Sequence, residues 1–210
     1  MIKKILLTGT SSGLGFEVAN SLSKKYEIIG LSRFIGKAKK IKKKKFKFIS
    51  LDLSKPEEFE KLNLIKNVDC LINNSSIFSL KKFEKLKYEE IQKIINTNLI
   101  GTILLTKKII EKNKNLKKII NILSVSGLNG IKNQALYSAT KHGLKGFFDS
   151  LAQEKINSIS INNIYPGGMK TELWKKINGI KKEKISQFLD TTDVSNLIEF
   201  VLNQKKNKYF

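Results

Sequence analysis

Three groups of residues in this chain have the types and spacing to do chemistry. Thr8-Gly9-Thr10-Ser11-Ser12-Gly13-Leu14-Gly15 is a glycine-rich turn between an apolar run and a segment of helical periodicity. Its glycines allow a tight turn and a close backbone approach to a phosphate, and the helix N-terminus that follows favours an anion. Tyr137 and Lys141 stand four apart in a helical pattern, so their side chains share one face. A free phenol titrates at about 10, and a nearby ammonium stabilises the phenolate and lowers that value. Such a phenol exchanges protons with a carbonyl or alcohol oxygen near neutral pH. Ser124, at the end of another apolar run, can donate a hydrogen bond to the same oxygen as negative charge develops. Taken singly, each pattern also has an ordinary structural reading: a plain turn, an amphipathic boundary pair, a cap after a strand.

The elements that must position these residues alternate along the chain. Short apolar runs bounded by turn residues predict strands over 2–7, 26–31, 46–51, 68–72, 116–123 and 158–164. Apolar residues at helical spacing predict helices over 14–23, 55–62, 88–112, 135–155 and 194–203. Strands that are nearly all apolar belong in a parallel sheet covered by helices on both faces. Right-handed crossovers make that a doubly wound α/β sheet, with its ligand crevice at the C-terminal ends of the strands. The clusters at 8–15, 32–33, 52–53, 73–76, 124–126 and 165–171 all fall just after predicted strands. With no internal repeat or linking segment, residues 1–210 are expected to form a single domain.

Composition narrows the classes. Lysine and arginine total 40 against 18 acidic residues, a net charge of +22. Such a surplus attracts nucleic acid, anionic lipid or acidic substrates. Arg33 is the sole arginine, however, and surfaces that read phosphates or base edges use arginine forks. The chain is also crowded with isoleucine and asparagine, a bias expected of an AT-rich genome. Nucleic acid is therefore not the expected partner, and polyanion binding is kept as an alternative. No apolar run reaches the roughly 18–20 residues of a membrane span. Ile5-Leu6-Leu7 is too short for a signal-peptide core, and a single cysteine, Cys70, suits the reducing cytoplasm, which is the expected location. With one histidine, His142, beside that one cysteine, no metal site is expected.

The spacing Gly-x-x-x-Gly-x-Gly resembles the cofactor motif of the short-chain dehydrogenase/reductase (SDR) family, and further motifs agree with it in order. Asn98, in Asn96-Thr97-Asn98-Leu99, looks like the family's helical catalytic asparagine. Ser124, with Tyr137 13 residues on and then Lys141, looks like its serine and Tyr-x-x-x-Lys pair. Pro166-Gly167 followed by Thr171 resembles its Pro-Gly-x-x-x-Thr segment, which lies against the nicotinamide. Asp52-Leu53 resembles the pair whose aspartate contacts the adenine, and Asn73 stands where the family's chain passes the adenosine ribose.

The resemblance covers residues 1 to about 202 and implies a Rossmann-fold oxidoreductase. It would transfer a hydride between a nicotinamide cofactor and a small carbonyl or alcohol substrate. In that reading Tyr137 is the general acid/base, Lys141 tunes it, Ser124 orients and stabilises the oxygen, and Asn98 organises a water relay. The implied cofactor set is Thr8, Gly9, Ser11, Ser12, Gly13, Leu14, Gly15, Ser32, Arg33, Asp52, Leu53, Asn73, Tyr137, Lys141, Pro166, Gly167 and Thr171. A non-catalytic dinucleotide-binding scaffold or regulatory protein is the alternative.

Cofactor choice turns on the end of the second strand, where an acid would bind the ribose 2′-hydroxyl of NAD and a base the 2′-phosphate of NADP. Ser32-Arg33 puts the sole arginine there, which predicts NADP(H) preferred and NAD(H) possible; Lys37, Lys39 and Lys40 add to the positive field. Asn73-Asn74-Ser75-Ser76 departs from the family's usual Asn-Asn-Ala-Gly, so the turn beside the cofactor is expected to differ. Little room is left for a helix between the second and third strands. Lys208-Tyr209-Phe210 allows only a stub of a seventh strand, which is expected to be short or missing. That strand often builds the family's tetramer interface, and the helices at 88–112 and 135–155 could pair subunits, so a homodimer or homotetramer is expected. A substrate lid is expected at about 168–190, where Met169, Leu173 and Trp174 either line an apolar pocket or pack a short helix onto the sheet. Ser126 is a neighbouring hydroxyl ranked behind Ser124, His142 an ordinary helix residue, and Cys70 a small strand residue near the core.

Overall fold

A computed structural model describes residues 2–155, 158–174 and 185–204. Six strands, β1 (Lys4–Thr8), β2 (Glu27–Ser32), β3 (Phe46–Ser50), β4 (Cys70–Asn73), β5 (Lys118–Ile122) and β6 (Ser160–Ile164), form one parallel sheet in the order β3-β2-β1-β4-β5-β6. The chain therefore winds outward in both directions from β1 and β4, and a crevice opens where the order reverses. Among the described residues five α-helices accompany the sheet: α1 (Gly13–Leu22), α2 (Tyr88–Ile95), α3 (Gly101–Lys112), α4 (Ala135–Glu154) and α5 (Thr191–Asn203).

Strand alternation assigns each apolar side chain to a layer. Ile5 and Leu7 of β1 face one side, where they pack with Val18 and Leu22 of α1 and Ile198 and Leu202 of α5. Leu6, between them in sequence, faces the other side with Leu71 and Ile119, under Leu105 and Ile109 of α3 and Leu144 and Phe148 of α4. All are fully or almost fully buried, and each contributes about 1.5–3 kcal/mol relative to exposure. A strand covered on both faces has to read as a continuous apolar run, which is why these strands carry no polar alternation. Cys70 is buried in this core, and His142 bonds within α4 through Nδ1 to Ser138 O at 2.9 Å.

The structure departs from the periodicity in one consequential place. Residues 88–112 are two α-helices joined by a π-helical turn over Asn96–Ile100, closed by the Gly101 N–H bonding Asn96 O. A single wide turn changes the rotational register without interrupting the apolar pattern, so periodicity reads through it. Asn98, in the middle of that turn, is 1% exposed. The predicted helix at 55–62 is a 3₁₀ run, Pro56–Leu64, with proline in its first turn, and the space between β2 and β3 holds only a 3₁₀ run, Gly36–Lys40. The stub at 208–210 and the middle of the lid, 175–184, lie outside the described residues. Among the described residues no helix is long and apolar enough to cross a membrane, and no group of three or more His, Cys, Asp and Glu could hold a metal ion.

Candidate active site

The crevice above β1 and β4 is a cleft of about 870 Å³, and its two ends are built differently. At one end the chain leaves β1 through Gly9, whose φ of +78° lies in the left-handed region. Gly15 is needed for contact rather than conformation, since a Cβ there would come 2.1 Å from Gly9 O. The N-cap of α1, Ser12, makes no side-chain cap bond, and no acidic residue stands in the first turn. The N–H groups of that turn therefore keep their capacity for an anion, and Ser12, Gly13, Leu14 and Gly15 line the cleft. Ser32 braces the turn: its Oγ accepts from Ser11 N at 3.2 Å and donates to Leu31 O at 2.7 Å. Arg33 is exposed at the cleft edge, with Lys37, Lys39 and Lys40 beside it.

Asp52 and Leu53 line the same end. Burial pushes the Asp52 carboxyl up, but hydrogen bonds from Ser54 and the charges of Arg33 and Lys55 outweigh it and leave the group below the ordinary carboxylate value. Thr8 and Asn73 do not line the cleft. The buried Thr8 hydroxyl accepts from Asn74 N and Ser75 N, both at 2.9 Å, and so holds the neighbouring loop. Asn73 begins an amide ladder across the sheet, donating to Asn121 Oδ1 at 2.9 Å, while Asn121 in turn donates to Asn163 Oδ1 at 2.9 Å. These three asparagines are directly paired in register on β4, β5 and β6.

At the other end, Ser124 follows β5, Tyr137 lies in the first turn of α4 and Lys141 one turn later. All three line the cleft. Ser124 Oγ accepts from Ser126 N at 3.1 Å, whereas the Ser126 hydroxyl is engaged with Gln134 Oε1 at 2.9 Å. The buried Lys141 donates from Nζ to Ile122 O at 3.0 Å and sits 5.5 Å from the centroid of the Tyr137 ring. Burial pushes its ammonium down to about 8, so it still carries its proton near neutral pH. Burial pushes the Tyr137 phenol up, and the hydroxyls of Ser76 and Ser124 act in the opposite direction without cancelling it. An ammonium-lowered phenol was the expectation from spacing alone. The Lys141 charge instead lies over the ring face and is tied to a main-chain carbonyl.

Asn98 does not reach the cleft. Its amide clamps one peptide of the facing loop, donating to Ile77 O at 2.8 Å and accepting from Ile77 N at 2.7 Å. The next residue, Phe78, stands edge-on to Tyr137 with ring centroids 5.0 Å apart. Trp174 packs on Phe78 at 5.4 Å and on Phe188 at 4.9 Å, while its indole N–H is satisfied by Met169 O at 2.6 Å. An aromatic row thus walls the cleft beside the phenol. Gly167 and Thr171 line the cleft and Pro166 does not. Ile77, Phe78, Ile131 and Gln134 also line it and were missed in the sequence; the one signal available was the position of 77–78 directly after the unusual Ser75-Ser76.

Comparison with known proteins fits this geometry. Residues 3–182 match the short chain dehydrogenase family, and the chain belongs to that family. It is 33% identical over 222 residues to a 3-oxoacyl-[acyl-carrier-protein] reductase, FabG, of Buchnera aphidicola subsp. Schizaphis graminum, covering 97% of this chain and 91% of that protein. A diacetyl reductase of Staphylococcus epidermidis is 26% identical, over 96% of this chain and 91% of its own length. Among solved structures, ElxO with NADP bound aligns with a TM-score of 0.82 at 30% identity, covering 100% of this chain and 94% of that one. A 4-hydroxyisoleucine dehydrogenase complexed with NADH aligns with a TM-score of 0.84 at 28% identity, over 96% and 91%. The protein is an oxidoreductase that works by hydride transfer with a nicotinamide cofactor.

Proposed function

We propose that the protein is an NADP(H)-preferring reductase of ketone or aldehyde groups, reversible in principle. The observation that carries this reading is the buried corner in which Tyr137 stands beside Ser124 with Lys141 against its ring, at one end of a cleft whose other end is an uncapped helix N-terminus flanked by Arg33. The glycine turn fits a pyrophosphate because the N-terminus of α1 has no side-chain cap and no acidic residue in its first turn, and Ser12, Gly13, Leu14 and Gly15 line the cleft there. Arg33 and the lysines at 37, 39 and 40 fit an additional phosphate, which favours NADP over NAD. When bound, the nicotinamide supplies the hydride. The chain's own part is the proton: Tyr137 gives it to the substrate oxygen, Ser124 donates a hydrogen bond to that oxygen as charge develops, and Lys141 provides a fixed positive charge beneath the ring. Asn98 contributes by holding the Ile77 peptide that shapes the facing wall.

A fluorescence titration with NADPH and NADH in parallel, followed by a carbonyl panel with Tyr137→Phe as control, tests the reading. The expected result is NADPH binding at least about tenfold tighter, equal to about 1.4 kcal/mol, and turnover that the variant lacks. Equal affinities would overturn the role given to Arg33. Cofactor binding without turnover on any carbonyl would favour a scaffold instead.

A further inference from the structure

We propose that the substrate is an uncharged ketone or aldehyde bearing an apolar ring, which packs on a wall made by Phe78 and Trp174; this names the substrate class of the reductase reading and rests on it. Ring contacts tie the wall to the catalytic corner. Phe78 stands edge-on to Tyr137 with centroids 5.0 Å apart, and Trp174 stands edge-on to Phe78 at 5.4 Å. Both rings are held in place. Asn98 clamps the Ile77 peptide that precedes Phe78, and Trp174 rests on Phe188 at 4.9 Å. The Phe188 ring lies so close on Gly168 that a Cβ there would meet it at 2.7 Å. The two segments are paired, Lys170 N bonding Leu189 O at 2.8 Å and Leu189 N bonding Gly168 O at 2.9 Å. The wall is thus set before a ligand arrives, and little ordering cost remains for binding.

The surface it offers is hydrocarbon. The one polar atom of the indole is spent on Met169 O at 2.6 Å, so a ligand meets only the faces and edges of the ring. Leu173, 41% exposed, and Ile131, 37% exposed, also line the cleft and leave apolar surface uncovered there. Charge lies elsewhere. Arg33, the lysines at 37, 39 and 40 and Asp52 line the nucleotide end of the cleft. Glu172, next to Leu173 in sequence, is paired with Lys37 of that end, Nζ lying 2.8 Å from Oε1. Lys141 is buried and donates to Ile122 O. Among the described residues, a carboxylate on the substrate would therefore lose its water at the wall and find no partner. An apolar ring would gain by leaving water and would extend the edge-to-face row. The net charge of +22 attracts acidic molecules to the protein as a whole, but the catalytic end of the cleft is built for neutral ones.

The test uses a matched pair of methyl ketones, benzylacetone and levulinate, which differ only in carrying phenyl or carboxylate at the far end of the chain. With NADPH, the full chain is expected to show a kcat/KM about a hundredfold higher for benzylacetone. Trp174→Ala should cut that ratio about tenfold, and Leu173→Lys, at an exposed position, should cut it further by giving levulinate a cation. Trp174 is the sole tryptophan, so its emission reports on the wall without any turnover. In Tyr137→Phe with NADP+ present, benzylacetone should change that emission saturably and levulinate at the same concentration should not. Equal rates for the two ketones, a preference for levulinate, a ratio that neither variant lowers, or an emission that does not distinguish the ketones would each overturn the apolar site. If the wild type reduces neither ketone while Trp174 emission still selects benzylacetone, the reductase reading falls and the apolar site stands.

Discussion

The two ends of the cleft solve their problems with different materials. The turn between β1 and α1 is made from consecutive residues, mostly backbone, and its capacity for an anion comes from N–H groups and two glycines. The catalytic corner gathers side chains from separate elements, Asn98, Ser124, Tyr137 and Lys141, buries all of them but Ser124, and so perturbs the ionisation of Tyr137 and Lys141. A backbone device tolerates exposure, because its dipoles cannot be titrated away. A proton-transfer device needs burial, because hydrogen bonds and charges act most strongly where water is thin.

This contrast predicts that changes in the corner alter rate and ionisation while changes in the turn alter binding. The largest effect is expected for Tyr137→Phe, which removes the proton but little volume: turnover should fall by about a thousandfold with NADPH affinity retained. A stopped-flow assay beside a binding titration separates the two, and a parallel loss of affinity would break the comparison. Next is Lys141→Met. Folded Lys141 holds its proton less tightly than the ordinary lysine, so between its value of about 8 and 10.5 the unfolded chain binds more protons and stability rises with pH. The stability difference between wild type and variant should therefore move in favour of the wild type by about 3 kcal/mol across that window, read by denaturant unfolding. The variant should also lose most of its activity.

Effects at the turn should be smaller. Gly15→Ala forces a methyl against the Gly9 carbonyl and is expected to cost about 1–3 kcal/mol of stability and to weaken cofactor binding, seen in thermal unfolding with and without NADPH. Arg33→Ala should lower NADPH affinity about tenfold and leave NADH nearly unchanged, because only the former has a phosphate for the guanidinium to meet.

The order of elements was legible in the sequence because a parallel sheet covered on both sides demands continuous apolar strands, and helices on its faces demand a regular apolar stripe. The glycine turn was legible for a related reason: it is local, and its residues carry their conformational meaning in their types. Tyr137 and Lys141 were visible as a pair because four residues make one helical turn. What each does was decided only in three dimensions. The π turn that buries Asn98, the clamp from Asn98 to Ile77, the withdrawal of Asn73 into a ladder with Asn121 and Asn163, and the approach of Phe78 to the phenol were all settled by packing between elements. Spacing carries the contacts within one element. Burial, and with it the direction in which a phenol or an ammonium titrates, depends on what other elements bring against it.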